Sequence, residues 1–303
     1  TDKLDKPPYN QLTDSIYQMP KNSDLYYRRG GLLYTNNEID EAEKDIRTAW
    51  ELNPKEEYAL SLTTILKKKK TDSAIVFLKK AISLIPGSLA LKVGLARGYQ
   101  QKNQLDSALV FCNAILQQYP NLLDALILRS DILKASNKNE EALASLEKAY
   151  SLAPLDKEIA YDLDYDYAAV KSPKALLLAD ILIKNDSTET VAKAYYVKAT
   201  YFKNSGQISE ATLNYNAAIA HDYNFLDAYL DKGELQYNSN RLAEAEKTFI
   251  TALKISPTTA DFYFWLGKVQ EKVGRKDEAK LNYQRAYGLD KSMKEAKEAA
   301  DRL

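Results

Sequence analysis

The chain has one cysteine and one histidine in 303 residues, Cys112 and His221. One cysteine excludes an intrachain disulfide, and one histidine excludes the paired-histidine zinc motifs. The sequence also lacks an apolar run of the roughly 18 residues that a membrane-spanning helix needs. Lys plus Arg and Asp plus Glu both number 42, so the net charge is zero. This balance disfavours nonspecific binding to nucleic acid, which depends on excess basic residues.

The chain also lacks a phosphate-binding loop and a glycine-rich dinucleotide fingerprint. No motif nominates a nucleophile beside His221, so a catalytic triad is not indicated. Cys112 falls on a predicted core position, where a small buried thiol is expected. The sequence therefore predicts no enzyme activity, no catalytic residue, no metal site and no cofactor.

Alanine recurs along the chain with a period near 34 residues, which is the main organising signal. The series is Ala42, Ala74, Ala108, Ala142, Ala175, Ala211, Ala245 and Ala279. Proline marks the same period about a dozen residues later, at Pro20, Pro54, Pro86, Pro120, Pro154 and Pro257. Repetition at this spacing predicts a helical array that grows by stacking units.

Each repeat has the pattern of two helices joined by a turn. In residues 23–54, Ser23 can cap a first helix, and Asn36 and Asn37 form a turn before a second helix that stops ahead of Pro54. Two helices cross closely only where side chains are small. The first-helix crossing position holds Gly30, Leu62, Ala96, Ser130, Asp164, Ala199, Gly233 and Gly267, and the second-helix position holds the alanine series.

At these residues the chain resembles the tetratricopeptide repeat family. The repeats near 226–257 and 260–291 match its pattern best, in Tyr229 to Gly233 and Tyr263 to Gly267. The resemblance implies an all-α fold, a right-handed α-solenoid of stacked antiparallel helix hairpins. It divides the chain into a polar leader or linker (1–10), an N-terminal capping helix (11–21), an eight-repeat array (22–291) and a C-terminal capping helix (292–303).

The repeat at 157–188 departs from this pattern, because Asp164 stands where a small residue is expected. Asp162, Asp164 and Asp166 alternate as in a calcium loop. Tyr167, however, occupies the position where such a loop needs glycine. We therefore expect irregular packing in this repeat and no metal ion.

The family geometry implies a groove lined by the first helices, and we expect a protein or peptide to bind there. The predicted groove residues are Tyr27, Tyr34, Arg97, Gln100, Asp131, Tyr161, Tyr165, Tyr196, Lys203, Glu234, Tyr237, Phe264 and Lys268. Tyrosine suits recognition because it offers a large apolar face and a hydroxyl group at low entropic cost. Tyr27 and Gly31 occupy positions where some family members clamp a carboxylate with Lys and Asn, so that clamp is not supported.

The sequence thus favours a non-catalytic scaffold that binds a protein or peptide, without nucleic acid. The polar start, TDKLDKPPYN, is also typical of a tether after a removed leader. An envelope lipoprotein that assists assembly of a membrane complex is therefore an alternative, although an arbitrary chain boundary has the same appearance. Nucleic-acid recognition and an accessory segment of an enzyme are further alternatives. The partner and the oligomeric state do not follow from the sequence.

Overall fold

The structure is a computed structural model that describes residues 3–185 and 189–303. In these ranges all regular structure is helical, with a short 3-10 helix (Lys3–Asp5) and eighteen α-helices. They group into two compact units, one ending at Leu152 and the other beginning at Ala153. Within the described ranges, no helix has the length and apolar character needed to cross a membrane.

Unit 1 contains α1 and the hairpins α2/α3, α4/α5, α6/α7 and α8/α9. The helices are α1 (Asn10–Gln18), α2 (Ser23–Thr35), α3 (Ile39–Leu52), α4 (Glu56–Lys69), α5 (Thr71–Leu84), α6 (Leu89–Gln101), α7 (Leu105–Gln118), α8 (Leu123–Ala135) and α9 (Asn139–Leu152). Within unit 1, α3 contacts α4, α5 contacts α6 and α7 contacts α8, so the hairpins stack around buried residues such as Leu33, Tyr58 and Leu128.

Unit 2 contains the hairpins α10/α11, α12/α13, α14/α15 and α16/α17, followed by α18. The helices are α10 (Lys157–Ala169), α11 (Lys174–Asn185), α12 (Glu189–Asn204), α13 (Ile208–His221), α14 (Leu226–Asn238), α15 (Leu242–Ile255), α16 (Ala260–Lys272), α17 (Lys276–Leu289) and α18 (Lys294–Arg302). Its core includes Tyr215, Phe249 and Tyr283, and α18 packs on α17.

Most hairpins turn through one residue with a left-handed backbone. Its φ is 61° at Asn37 and lies between 57° and 88° at Asn103, Asn137, Lys171, Gly206, Asn240 and Gly274. Glycine tolerates this conformation because it lacks a Cβ, and asparagine because its short polar side chain can hydrogen-bond to the nearby backbone. Lysine has neither property and adopts the conformation at a cost. The α4/α5 hairpin differs, since Lys70 alone separates its helices.

Glycine at the crossing position lets a large side chain of the second helix pack directly on the first. A Cβ added at Gly30 would lie 2.6 Å from Ile46 Cδ1, and one at Gly267 would lie 2.9 Å from Tyr283 Cδ1. At Gly233 an added Cβ would overlap the Phe249 ring. The close crossings therefore depend on these glycines.

Leu4 and Tyr9 of the predicted leader pack against the first hairpin, whereas residues 5–8 are exposed; Thr1 and Asp2 lie outside the described residues. Tyr9 is buried, and its hydroxyl accepts a hydrogen bond from Asn36 Nδ2 at 3.0 Å. Thr13 Oγ1 donates to the Leu4 carbonyl at 2.7 Å. The buried Arg29 donates to both Asp45 oxygens, at 2.6 and 2.8 Å, and to Thr13 Oγ1 at 3.0 Å. Apolar contacts and this polar network hold α1 on α2 and α3.

Candidate functional site

The exposed surfaces of successive first helices form one face in each unit, here called the first-helix face. In unit 1 it comprises α2, α4, α6 and α8, and in unit 2 it comprises α10, α12, α14 and α16. First helices of neighbouring hairpins touch each other, as α4 touches α6 and α10 touches α12. Side chains on neighbouring hairpins can therefore form one continuous surface within a unit.

In unit 1 the two predicted tyrosines lie against α4. The Tyr27 ring centroid is 4.7 Å from that of Tyr58, and the Tyr27 hydroxyl is 3.2 Å from Ser61 Oγ. Burial raises the pKa of Tyr27 above its ordinary value. Lys68 Nζ lies 4.4 Å from the Tyr34 ring centroid. Both tyrosines border a cavity of about 260 Å³ that also includes Gly31.

The other predicted residues of unit 1 are solvent-accessible charged or amide side chains. Arg97 is exposed on α6, and Gln100 is half-buried on the same helix. Burial lowers the pKa of Lys67, and the charge of nearby Arg97 lowers it further. Asp131 Oδ1 is 3.8 Å from Lys134 Nζ of its own helix. These contacts are local and do not link the residues to the tyrosines on α2.

In unit 2 three side chains converge on one oxygen of Asp231, in α14. Tyr196 donates its hydroxyl hydrogen to Asp231 Oδ2 at 2.8 Å, and Tyr215 does so at 3.3 Å. Lys203 Nζ is 3.1 Å from the same atom. Burial raises the pKa of Tyr196 and of Tyr215, and the charge of Asp231 adds to it. Asp231 thus connects two predicted groove residues of α12, although sequence reasoning did not select it.

The two predicted tyrosines of α10 differ in exposure. Tyr165 is 41% exposed, whereas Tyr161 is half-buried with Lys193 Nζ 5.2 Å from its ring centroid. Burial raises the pKa of Tyr161, with smaller contributions from Tyr165 and from nearby aspartates. Tyr165 also contributes to the raised pKa of Tyr196, and α10 packs against α12.

Aromatic rings and a lysine form a second cluster between α14 and α16. Lys268 Nζ lies 4.2 Å from the Trp265 centroid, 5.3 Å from Phe264 and 5.7 Å from Tyr237. Tyr237 and Trp265 meet edge to face at 5.5 Å. Phe264 contributes little surface, since it is 8% exposed and its ring packs on another aromatic ring.

Glu234 lies on the same helix as Asp231 and Tyr237. Burial raises its pKa, and the charge of Asp231 acts in the same direction. Lys203, Lys268 and a hydrogen bond with Trp265 act in the opposite direction. The predicted residues of α12, α14 and α16 therefore form one electrostatically connected surface.

A cavity of about 670 Å³ lies at the α18 end of this surface. Tyr237, Lys268 and Lys272 line it together with Glu298 of α18. Glu271 is held in place at the cavity, because it accepts hydrogen bonds from Tyr283 Oη at 2.7 Å and from an arginine of α18 at 2.8 Å.

Neither Cys112 nor His221 belongs to a nucleophile–base pair in the described part of the chain. Cys112 Sγ donates to the Ala125 carbonyl at 3.1 Å, and burial raises its pKa to about 11. His221 is exposed and stacks on Tyr195, with ring centroids 5.3 Å apart. Residues 3–185 and 189–303 contain no group of three or more His, Cys, Asp or Glu placed to hold a metal ion.

Family models match much of the chain. Models described as tetratricopeptide repeat match residues 23–56, 66–130, 123–154 and 260–299, and one described as TPR repeat matches residues 233–274. The chain belongs to the tetratricopeptide repeat (TPR) family. The TPR fold is generally that of a non-catalytic scaffold for protein interactions. No curated protein matches the chain in sequence.

Solved TPR structures share this architecture. A TPR protein from Parabacteroides merdae ATCC 43184 is 16% identical, covers 93% of this chain and 98% of its own, and has a TM-score of 0.59. The APC/C hetero-tetramer Cut9–Hcn1 is 11% identical over 98% of this chain and 59% of that chain, with a TM-score of 0.54. PilW, a type IV pilus biogenesis factor, is 18% identical, covers 65% of this chain and 91% of its own, and has a TM-score of 0.53. At these identities the likeness concerns the fold alone.

Proposed function

We propose that this TPR protein is a non-catalytic scaffold that holds a peptide or an extended protein segment on its first-helix faces, with the principal contacts on unit 2. The observation that carries the proposal is the convergence of Tyr196 and Lys203 on Asp231, next to the cluster of Tyr237 and Lys268. Tyrosine and tryptophan are enriched among residues that dominate binding energies.

The hydrogen bonds of this surface fix the side chains before a ligand arrives. Tyr196 and Lys203 are both tied to Asp231, and Lys268 lies over three aromatic rings. A side chain already held in its bound conformation loses little entropy on binding, which increases affinity. Tyr165 remains 41% exposed beside them and offers an open ring for contact.

The α18 end of the surface supplies a concave element. Its cavity of about 670 Å³ lies within the range of roughly 300 to 1,000 Å³ typical of ligand pockets. Lys268, Lys272 and Glu298 line it, so it offers both cationic and anionic groups beside aromatic rings. A peptide side chain could dock there while the rest of the segment lies along α14 and α12.

The proposal is tested with peptides selected from a random display library on the wild-type protein. Their Kd values are then measured by fluorescence anisotropy for the wild type and for the Tyr161→Ala/Tyr165→Ala/Tyr196→Ala variant. Loss of clustered aromatic contacts should weaken binding by at least about tenfold. Tyr165→Ala alone, at the most exposed of the three positions, should weaken it severalfold without disturbing the fold.

Tyr223→Ala is the matched control, since Tyr223 is 58% exposed in unit 2 and lies in the turn before α14. Circular dichroism verifies that each variant keeps its helices. If the selected peptides bind the triple variant as tightly as the wild type, the first-helix face of unit 2 is not the binding site.

A further inference from the structure

A separate cavity of about 450 Å³ lies in unit 1 between α5, α6 and α7, on residues that the proposed function does not use. We call it the Lys79 cavity. Ile82, Leu89, Leu95, Phe111 and Ile115 supply its apolar walls. Phe111 is exposed to solvent, although it is a large aromatic residue. Apolar surface left open in this way is stabilised when a hydrophobic ligand covers it.

Two lysines complete the lining, Lys79 from α5 and Lys92 from α6. Lys79 Nζ lies 5.6 Å from the centroid of Tyr99, and that ring stacks on Phe111 at 5.3 Å. The ammonium group is thus held close to an apolar wall. Among the residues that the structure describes, neither lysine has a carboxylate partner, and the lining contains no Asp or Glu.

The sequence around the cavity is depleted of acidic residues. Between Asp72 and Asp106 there is no Asp or Glu, whereas the same stretch has five Lys or Arg residues. The whole chain has zero net charge, so this concentration of positive charge is local. It favours an anionic ligand.

Two comparable cavities between successive hairpins have a different composition. The one beside α3 and α5 includes Glu51 and Asp72 in its lining. The one between α15, α16 and α17 includes Glu278, with the amides of Gln270 and Asn282. The Lys79 cavity therefore combines apolar walls with uncompensated positive charge in a way that these two do not.

A hydrocarbon chain fits these walls better than a peptide backbone does. Apart from the lysines, Gln118 and the Tyr119 hydroxyl are the side-chain hydrogen-bonding groups in the lining. The main-chain N–H and C=O groups of the lining residues already form hydrogen bonds within their own helices. A peptide group placed inside the cavity would lose its hydrogen bonds to water and find few partners in the lining. Methylene groups form no hydrogen bonds, so they lose none on entering.

We propose that the Lys79 cavity binds a single acyl chain that carries an anionic head group, as in a free fatty acid. The chain lies against Leu95, Phe111 and Ile115, and the carboxylate lies between Lys79 and Lys92. A cavity of this size is within the range for small ligands and suits one chain better than the two chains of a phospholipid.

The test is calorimetric titration with laurate, kept below its micelle concentration, beside dodecyltrimethylammonium and dodecyl maltoside. Laurate should bind with one site per chain, at least about tenfold tighter than either comparator. Lys79→Gln/Lys92→Gln should weaken laurate binding by about tenfold, since each exposed ion pair contributes a few-fold. Lys80→Gln, which makes the same charge change one residue along α5 and outside the lining, should leave affinity unchanged.

A second variant blocks the cavity without removing charge. Ala114 is an exposed lining residue on α7, so Ala114→Trp should fill the space and abolish laurate binding. Gln117→Trp, exposed on the same helix and outside the lining, is its control. Equal binding of the three amphiphiles, or laurate binding that survives Ala114→Trp, would overturn the proposal. Binding to phosphatidylglycerol vesicles, or to a selected acidic peptide at this cavity, in the absence of laurate binding would also overturn it.

Discussion

The crossings at Gly233 and at Asp164 solve the same packing problem within unit 2 in opposite ways. At Gly233 the first helix supplies no side chain, and Phe249 of the second helix fills the space. In the α10/α11 hairpin the first helix supplies Asp164, and the position equivalent to Phe249 is Ala179, which is fully buried. The larger residue of the pair thus lies on the second helix in one hairpin and on the first helix in the other.

The exchange also places a carboxyl group where the other hairpin has an aromatic ring. Asp164 is fully buried, and neither of its carboxyl oxygens has a hydrogen-bond partner among the described residues. A buried, unpaired carboxylate is strongly disfavoured, so the group takes up a proton instead. Burial raises the pKa of Asp164 to about 8. The comparison teaches that the crossing position accepts residues of different size. The free-energy cost of a residue there depends on whether its side chain is polar.

The largest expected effect is a dependence of stability on pH. Above about pH 5 an unfolded chain has lost the Asp164 proton, whereas the folded chain keeps it until about pH 8. The free energy of unfolding should therefore fall as pH rises, by up to about 1.4 kcal/mol per pH unit and on the order of 3 kcal/mol across this window. Urea denaturation followed by circular dichroism at several pH values measures it.

The charged groups near Asp164 are Asp180 and Lys198, which pair at 2.7 Å. Asp180 raises the pKa of Asp164 and Lys198 lowers it. Asp164→Asn removes the titrating group and keeps its shape, so the slope should become shallower in this variant. The same slope in both proteins would show that Asp164 titrates normally in the folded state.

The second-largest expected effect is a steric destabilisation at the Gly233 crossing. Gly233→Ala places a Cβ against the Phe249 ring and should destabilise the protein by about 2 kcal/mol, as overpacked cores do. Gly288→Ala is the matched control, because Gly288 also lies in a helix of unit 2 and an added Cβ there meets no atom. This control should gain up to about 1 kcal/mol from helix propensity. Chemical denaturation measures both changes, and equal effects would contradict the close crossing.

The smallest effect concerns the turns of the same two hairpins. Lys171 and Asn240 have φ values of 57° and 58°, so lysine adopts a backbone conformation that suits asparagine. Lys171→Asn should stabilise the protein by about 0.5 to 1 kcal/mol, and Asn240→Lys should destabilise it by a similar amount. Thermal unfolding of the two single variants compares them. Shifts of the same sign would show that the turn conformation is not what distinguishes the two residues.

The helix hairpins could be predicted from sequence, because the alanine series and the prolines mark helix crossings and helix ends. The crossing position of Asp164 followed from the same register. The packing of Tyr9 could not, since polar residues and prolines surround it and only the fold shows its contact with α2. Lys171 gave no signal of a left-handed turn, because lysine rarely adopts that conformation.

The candidate site was predictable only in part. Tyr165, Tyr196 and Tyr237 were selected because they fall outside the core positions of their helices. Asp231 was missed, because an aspartate on a polar helix face looks like an ordinary solvated residue. Its role depends on Tyr215, which reaches it from the second helix of the preceding hairpin. Contacts between elements distant in sequence cannot be read from the pattern of one helix.

Because Cys112 is buried, the reactivity of its thiol measures local opening of the structure around it. Its thiol is the only one in the chain, lies in α7 of unit 1 and is closed off from solvent with a pKa near 11. A thiol-specific reagent should therefore react only when α7 separates from α8. Labelling rates would measure how often unit 1 opens around Cys112, whereas opening of unit 2 would give no signal.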